Sequence, residues 1–303
     1  MIQSLFDGVL VGAVLSLGAI GLTLVMHILR FANFSHAELL AIGAYAALTI
    51  DAFLSALAPP LSATIGSLSM TAALAIAMIA ATAIAGASAI LIDVLVFRRL
   101  REKAGPLTMV FASFGVALIV RSSIALIYGL NTQRYTDDIA FAVLVSTDPF
   151  LLVKPDQIMV LAIALVVMAG LHLLLTRTTL GFALRAVAEN PTLAQVNGIP
   201  LAAMIRLTWI VGGALAAAAG VLYAIDNHLS PVMGRDLVLS LFAAAIVGGL
   251  GSVSGAMLGG MIVGLASSFS LLVLPAGYKP VVPFLIIMAT LYIRPTGLFG
   301  EPR

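Results

Sequence analysis

The chain has 303 residues, 62% of them hydrophobic and only 9% charged, and carries a formal net charge of +2 at pH 7. A charged fraction so far below the roughly 25% of a soluble domain marks a polytopic integral membrane protein, and so small a net charge leaves no electrostatic footprint for nucleic acid. The absence of cysteine excludes disulfides, thiolate nucleophiles and Cys-ligated metals.

Apolar runs near 20 residues long, enough to cross a hydrocarbon core about 30 Å thick at 1.5 Å per residue, recur along the sequence. They cover residues 8 to 29, 38 to 57, 68 to 97, 107 to 129, 157 to 176, 206 to 226, 237 to 250, 255 to 274 and 280 to 294. The third is long enough to tilt or protrude, and residues 237 to 250 are short enough for a half-helix. The expectation is an all-α polytopic bundle of about eight or nine transmembrane helices, a single domain over residues 1 to 303.

Short loops rich in Lys and Arg stay in the cytoplasm. With the N-terminus outside, the inner set is Arg30, Arg98, Arg99, Arg101, Lys103, Arg177, Arg185, Arg206, Arg294 and Arg303, against Arg134, Lys154, Arg235 and Lys279 outside and Arg121 within a span. The bias predicts an external N-terminus and a cytoplasmic C-terminus. The start Met-Ile-Gln-Ser-Leu-Phe-Asp lacks a basic n-region, so the first span is expected to be retained.

Between the first two spans, Asn33, Ser35, His36 and Glu38 concentrate polar groups in apolar surroundings, near what the pattern reads as the inner end of both helices. They either satisfy one another and cap the second span or line the translocation path and its inner gate. Arg121, in the middle of the fourth span, costs about 2.5 to 3.5 kcal/mol on insertion scales and must face the bundle or a wet cavity. It has either an internal partner or a place on the path, where it meets a substrate carboxylate. The external loop 130 to 156 carries Asp137, Asp138, Asp148 and Asp156 against Arg134 and Lys154, a composition suited to a solvated surface.

Residues 177 to 206 form a charged loop on the inner face. Leu180, Leu184 and Val187 lie four and then three apart, which stacks them on one helical face, while Arg185 and Glu189 at i, i+4 share another. Asn190-Pro191 suits an N-cap followed by the first helical position of a new helix, and Gly198 suits a left-handed C-cap. The loop reads either as an interfacial connector or as a docking helix, and its low basic content argues against a lipid-seeking role.

Further on, Gly251, Gly255 and Gly259 are spaced by four, as are Gly260 and Gly264, which lets helix backbones approach closely in lipid. The same stretch has the wrong spacing and context for a dinucleotide loop. His36-Ala-Glu38 lacks the Pro-Cys-x-x-Cys half of a zinc deaminase, and His27, His172 and His228 show no metal-ligand spacing. Asp51 and Asp93 are the candidates for an ion relay, but both sit near predicted span ends. Neither a nucleotide-binding Gly-x-x-x-x-Gly-Lys-Ser/Thr motif nor a hydrolase motif is present, so no enzyme activity, cofactor or metal is expected.

The segment Gly181-Phe-Ala-Leu-Arg185-Ala-Val-Ala-Glu189-Asn-Pro-Thr-Leu-Ala194-Gln-Val-Asn-Gly198-Ile resembles the cytoplasmic coupling loop of the LivH/LivM family of ABC-transporter permeases. Arg30-Phe-Ala-Asn33-Phe-Ser35-His36-Ala-Glu38 with Gly43-Ala-Tyr45, the run Gly248 to Gly260, and the ending Arg294-Pro295-Thr296-Gly297-Leu-Phe-Gly300 agree in order along nearly the whole chain. Ser35 stands where alanine is usual in the family and Ala37 where glycine is common.

The resemblance, closer to the LivH type because the chain is compact, implies an importer subunit for branched-chain or related amino acids in a bacterial inner membrane. An amide or urea permease and an ion-coupled transporter are the alternatives. It further implies a LivM-like second permease in a hetero-pair, two cytoplasmic ATPases and a soluble binding protein. The ATPases are expected to meet Gly181, Leu184, Arg185, Ala188, Glu189, Asn190, Pro191 and Gly198, with Arg185 and Glu189 anchoring the helix and Leu180, Leu184 and Val187 packing beneath. The binding protein is expected on the external loop, at Asp137 and Asp138, and on the turn from Asp226 to Asp236.

Overall fold

The computed structural model describes residues 1–66, 68–101, 103–136, 142–147 and 150–300. Asp137, Asp138, Asp148 and Arg303 lie outside the described residues.

Each of the nine apolar runs is a helix, because a backbone in hydrocarbon must satisfy its own N–H and C=O groups. They are α1 (Ile2–Leu29), α2 (His36–Leu57), α3 (Ala72–Ile92), α5 (Pro106–Tyr128), α6 (Pro155–Arg177), α9 (Leu201–Asp226), α10 (Met233–Gly248), α11 (Val253–Ser270) and α12 (Val281–Ile293). Helix α3 runs on through a π turn (Asp93–Phe97) into α4 (Arg98–Arg101), making one 30-residue helix. Among the described residues, seven helices are long and apolar enough to cross a membrane; α10, with 16 residues, and α12, with 13, are shorter. Two further helices, α7 (Thr179–Glu189) and α8 (Pro191–Val196), lie between α6 and α9.

Start and stop signals are local. Thr71 accepts from the Leu74 N–H at 2.9 Å to cap α3, Pro106 and Pro155 occupy first-turn positions that need no N–H, and Gly129 closes α5 at φ 82.

Helices α1 and α9 are the most buried and form the centre. On one side α1 packs antiparallel to α11 along small residues: Gly264 sits against the backbone of Gly12, and Gly260 against Ser16. The Ser16 hydroxyl donates to the Met257 carbonyl at 2.7 Å and to Gly12 at 2.8 Å. On the other side α9 receives α2 and α3, with Gly43 on Ala217 and Gly213 on Ala85. Close backbone approach of this kind supplies the van der Waals contact that drives helix association where lipid removes the hydrophobic force. Helices α5, α6 and α12 are peripheral, with most of their surface outward.

The two ends of the bundle differ. At the N-terminal end of α1, the connection between α5 and α6 contains a small antiparallel hairpin, β1 (Val143–Thr147) and β2 (Phe150–Val153), pairing Val143 with Val153 and Leu144 with Leu152. The Leu152 N–H donates to Gln3 Oε1 at 3.0 Å. The sequence reading had no strand here, because the run is too short and too close to loop residues to separate from an irregular lid. Asp156, expected on a solvated surface, is buried: it accepts from the Ser69 N–H at 2.8 Å and the Ser69 hydroxyl at 2.6 Å. At the opposite end Phe31 packs on Phe97 and Phe97 stacks on Trp209, with ring centroids 5.1 and 5.5 Å apart.

The largest departure from the sequence reading concerns residues 30–38. Arg30 closes α1 in the left-handed region, φ 58 and ψ 34, and the chain turns back into the bundle. His36 begins α2 beside Gly21 and Gly212, roughly two helical turns in from the end of α1. The polar segment therefore lies within the bundle and not at its inner rim, because the reversal at Arg30 carries Phe31, Asn33 and Ser35 inward, where all three are buried.

Candidate functional site

Two polar assemblies and a cleft between elements stand out. The first is the α7–α8 loop. Thr178 caps α7 by accepting from the Gly181 N–H at 3.2 Å. Gly181 lies against the backbone of Leu175, and Leu184 and Val187 are buried in the core. Asn190 ends α7 and caps α8, its Oδ1 accepting from the Leu193 N–H at 3.0 Å, with Pro191 at the first helical position. The loop ends in a Schellman motif: Gly198 at φ 82, its N–H donating to Gln195 O at 2.9 Å and the Ile199 N–H to Ala194 O at 3.0 Å. Every cap read from the local sequence is present.

The faces of α7 differ from the expectation in one respect. Leu184 and Val187 point into the bundle and are not available to a partner, whereas Leu180, Phe182, Leu193 and Val196 are outward. The buried stripe is Gly181, Leu184 and Val187, an i, i+3 ladder that follows the close contact of Gly181 on α6. Ala188 is half-buried. Arg185 does not pair with Glu189: its Nη1 donates to the Leu175 carbonyl at 2.9 Å and its guanidinium lies 4.6 Å from the Phe182 ring centroid. Glu189 is exposed.

The second assembly is the polar segment inside the bundle. Asn33 Oδ1 accepts from the Ser35 N–H at 3.1 Å and the Ser35 hydroxyl at 2.6 Å, and the Glu38 N–H donates to Ser35 O at 3.1 Å. The Arg121 Nη2 donates to Glu38 Oε1 at 2.5 Å, with side chains 21% and 2% exposed respectively. This joins α5 to α2 in the membrane-spanning part of the bundle, and Phe34 stacked on Phe114 at 4.0 Å and Tyr45 against Tyr128 at 4.6 Å hold the two helices on either side of it. Among the described residues, Asn33 Nδ2, Glu38 Oε2, Arg121 Nε and the Tyr45 hydroxyl are buried without a hydrogen-bond partner, and His36 is buried beside the Gly18 backbone. Such a concentration of unsatisfied polar atoms is unusual in a packed interior, where most buried polar groups find partners.

Between the two assemblies a cleft of about 1100 Å³ opens at the Phe31–Phe97 end, lined by His27, Arg30, His172, Arg185, Glu189 and Gly251 among others. Arg30 spans it, its Nη2 donating to the carbonyls of Ala188 and Glu189 at 3.4 and 3.3 Å.

The glycines read as one packing series divide. Gly255, Gly259, Gly260 and Gly264 lie on α11 against Gly248, Ala244, Ser16 and Gly12. Gly251 is in the α10–α11 turn at φ 100, with the His27 ring where a side chain would go, so its spacing of four from Gly255 does not put it on the same helical face. Asp51 accepts from the Thr71 hydroxyl at 3.1 Å and Asp93 pairs with Arg101 at 2.5 Å; they sit at opposite ends of the bundle, too far apart to relay an ion between them.

Two residues were missed by sequence reading. Arg30 gives no local signal, since a left-handed arginine is rare. Gly234, in the first turn of α10, abuts Glu38 Oε2 and Ala37 O, so a side chain there would strike the carboxylate; only the three-dimensional fold brings these residues together.

The family described as branched-chain amino acid transport system, permease component, matches residues 4–291. The chain is 32% identical over 305 residues to the high-affinity branched-chain amino acid transport system permease protein BraD of Pseudomonas aeruginosa, covering 100% of this chain and 96% of the relative. It is 31% identical over 311 residues to the permease protein LivH of Salmonella typhimurium, with the same coverage. A shorter match, 40% identical over 145 residues and 46% of each chain, is to a probable LivH of Methanocaldococcus jannaschii.

Proposed function

The chain belongs to the family of branched-chain amino acid transport permease components, and from that premise we propose that it carries leucine, isoleucine and valine inward as the membrane subunit of an ATP-driven importer. Permeases of ABC transporters leave ATP hydrolysis to separate subunits, so the energy must enter through a contact surface. A bound motor can shift a permease between states only by binding those states unequally.

The observation that carries the assignment of that surface is the α7–α8 loop. It is folded and capped at both ends, anchored to the bundle by Leu184 and Val187, and presents Leu180, Phe182, Leu193 and Val196 outward from helices that are not membrane spans. Large apolar side chains left exposed on short helices at the end of the bundle are candidates for an interaction site. In this reading Phe182, Arg185, Glu189, Asn190 and Leu193 meet the ATPase, and Gly181, Pro191 and Gly198 fix the loop's shape. Asn33, Ser35, His36, Glu38 and Arg121 line the route of the substrate. The end bearing the loop faces the cytoplasm, the N-terminus and the 130–156 loop face outward toward a binding protein, and the bundle sits in a bacterial inner membrane beside a second, LivM-like permease. This orientation is supported by the basic residues that cluster near α4 and α7.

The test is co-expression with ATPases, partner permease and binding protein, followed by vanadate-sensitive uptake of labelled leucine into proteoliposomes. ATP-dependent accumulation supports the assignment; accumulation by this polypeptide alone overturns it.

A further inference from the structure

Glu38 and Arg121 occupy a position that a purely structural ion pair would not need. A buried pair is weak as a source of stability, since desolvation offsets most of its attraction, and here each partner keeps an unsatisfied atom, Oε2 on Glu38 and Nε on Arg121. Arg121 stands at the edge of the buried face of α5, its side chain 21% exposed, with Leu118 exposed one turn before it. A guanidinium at that depth is costly unless it meets protein or water.

The surroundings narrow the choice. Arg235 and Asp236, on the first turn of α10, act electrostatically on Glu38; they are 59% and 55% exposed and bonded to each other at 3.2 Å. Helix α10 begins against Glu38, with Gly234 leaving room for the carboxylate. Three helices thus bring two positive and two negative charges to one strip of an otherwise apolar bundle, with no net charge. Such a strip repels neither end of a zwitterion and offers no net attraction to a simple anion or cation.

We propose that the Glu38–Arg121 pair is a transit site for the amino acid itself, opened when the substrate's carboxylate takes the Arg121 guanidinium and its ammonium group takes the Glu38 carboxylate. The exchange replaces one ion pair by two and moves no proton. The unpartnered Nδ2 of Asn33 and the buried His36 lie next along the chain from this point toward Arg30 and the cleft. The proposal rests on the reading of the substrate as a free amino acid.

The test uses the full complex in proteoliposomes with E38Q, R121Q, E38Q/R121Q and E38D, reading leucine uptake and ATP hydrolysis stimulated by the loaded binding protein. A structural pair predicts that the double variant, which leaves no unpaired charge, recovers wild-type uptake. A transit site predicts that it assembles and hydrolyses ATP while uptake falls at least tenfold, as in both single variants. E38D, which keeps both charges but retracts the carboxylate by one methylene, is also expected to lose uptake tenfold with hydrolysis intact; it decides the matter if the double variant does not assemble. Wild-type uptake by E38Q/R121Q or by E38D overturns the proposal. Failure of the wild-type complex to accumulate leucine is a separate result, and it removes the parent assignment along with this one.

Discussion

Arg30 holds the last turn of α7: its guanidinium donates to the carbonyl of Glu189 at 3.3 Å and to that of Ala188 at 3.4 Å. These carbonyls lack partners within the helix, and a cation at a helix C-terminus is favoured by the dipole. Arg30 is also the only non-glycine residue at positive φ among the described residues, and it is the point where the chain turns toward Asn33 and Glu38. A push on α7 therefore has a direct mechanical route to the polar interior.

Replacing Arg30 by glycine separates the two roles. Glycine relieves a left-handed conformation that costs an L-residue about 1–2 kcal/mol, so thermal stability should hold or rise. Loss of the guanidinium should reduce leucine taken up per ATP hydrolysed several-fold. An unchanged ratio in R30G would show that the link carries no coupling.

The α1–α11 contact makes a stability prediction. Gly264 has Gly12 backbone where a side chain would go, whereas Gly170 on α6 has nothing within 4 Å. Overpacking costs about 1–3 kcal/mol, more when backbone must move, so G264V should lower the unfolding temperature in detergent markedly. G170A should raise it slightly, since alanine is favoured over glycine in a helix by up to about 1 kcal/mol. Equal behaviour of the two variants would contradict the packing described.

Within α7 the buried and outward faces should separate cleanly. Leu184→Ala removes a core side chain and should cost about 2–5 kcal/mol. Phe182→Ala, on the outward face, should leave stability within about 0.5 kcal/mol yet reduce co-purification of the ATPases several-fold. Retention of the ATPases by F182A at wild-type yield would count against the docking face.

On the opposite end, Asp156→Ala strands the Ser69 N–H and hydroxyl, an expected loss of about 1–3 kcal/mol. Limited proteolysis should then cut the 58–71 segment faster than in the wild type. No change in its cleavage rate would mean that Ser69 finds another acceptor.

How much of this was legible in the sequence depends on distance along the chain. The nine apolar helices follow from composition and length, although only seven are long enough to cross a membrane, and the caps at Asn190 and Gly198 follow from residues within one turn of each other. The partner of Arg121 was not legible, because Glu38 is 83 positions away and nothing local selects it from the other carboxylates. The inward fold of residues 30–38 was missed for a related reason: Arg30 takes a conformation that glycine normally supplies. Spacing misled at Gly251, where a run of glycines four apart continued across a helix boundary that only the turn itself reveals. Leu184 and Val187 share one face of α7 as their spacing predicts, but that face is buried in the bundle and not offered to a partner, and Leu180 lies off it because the contact of Gly181 on α6 sets the buried stripe.

The measurement that tests the central claim most directly exploits the absence of cysteine in the chain. Single cysteines are placed at Phe182, outward on α7, and at Leu130, 79% exposed at the opposite end, and each variant is assembled with ATPase subunits and treated with a short bifunctional thiol reagent. The account predicts that F182C cross-links to an ATPase in a nucleotide-dependent manner and that L130C does not. Cross-linking of L130C to the ATPase, with F182C unreactive toward it, would place the motor on the wrong end of the bundle and contradict the account.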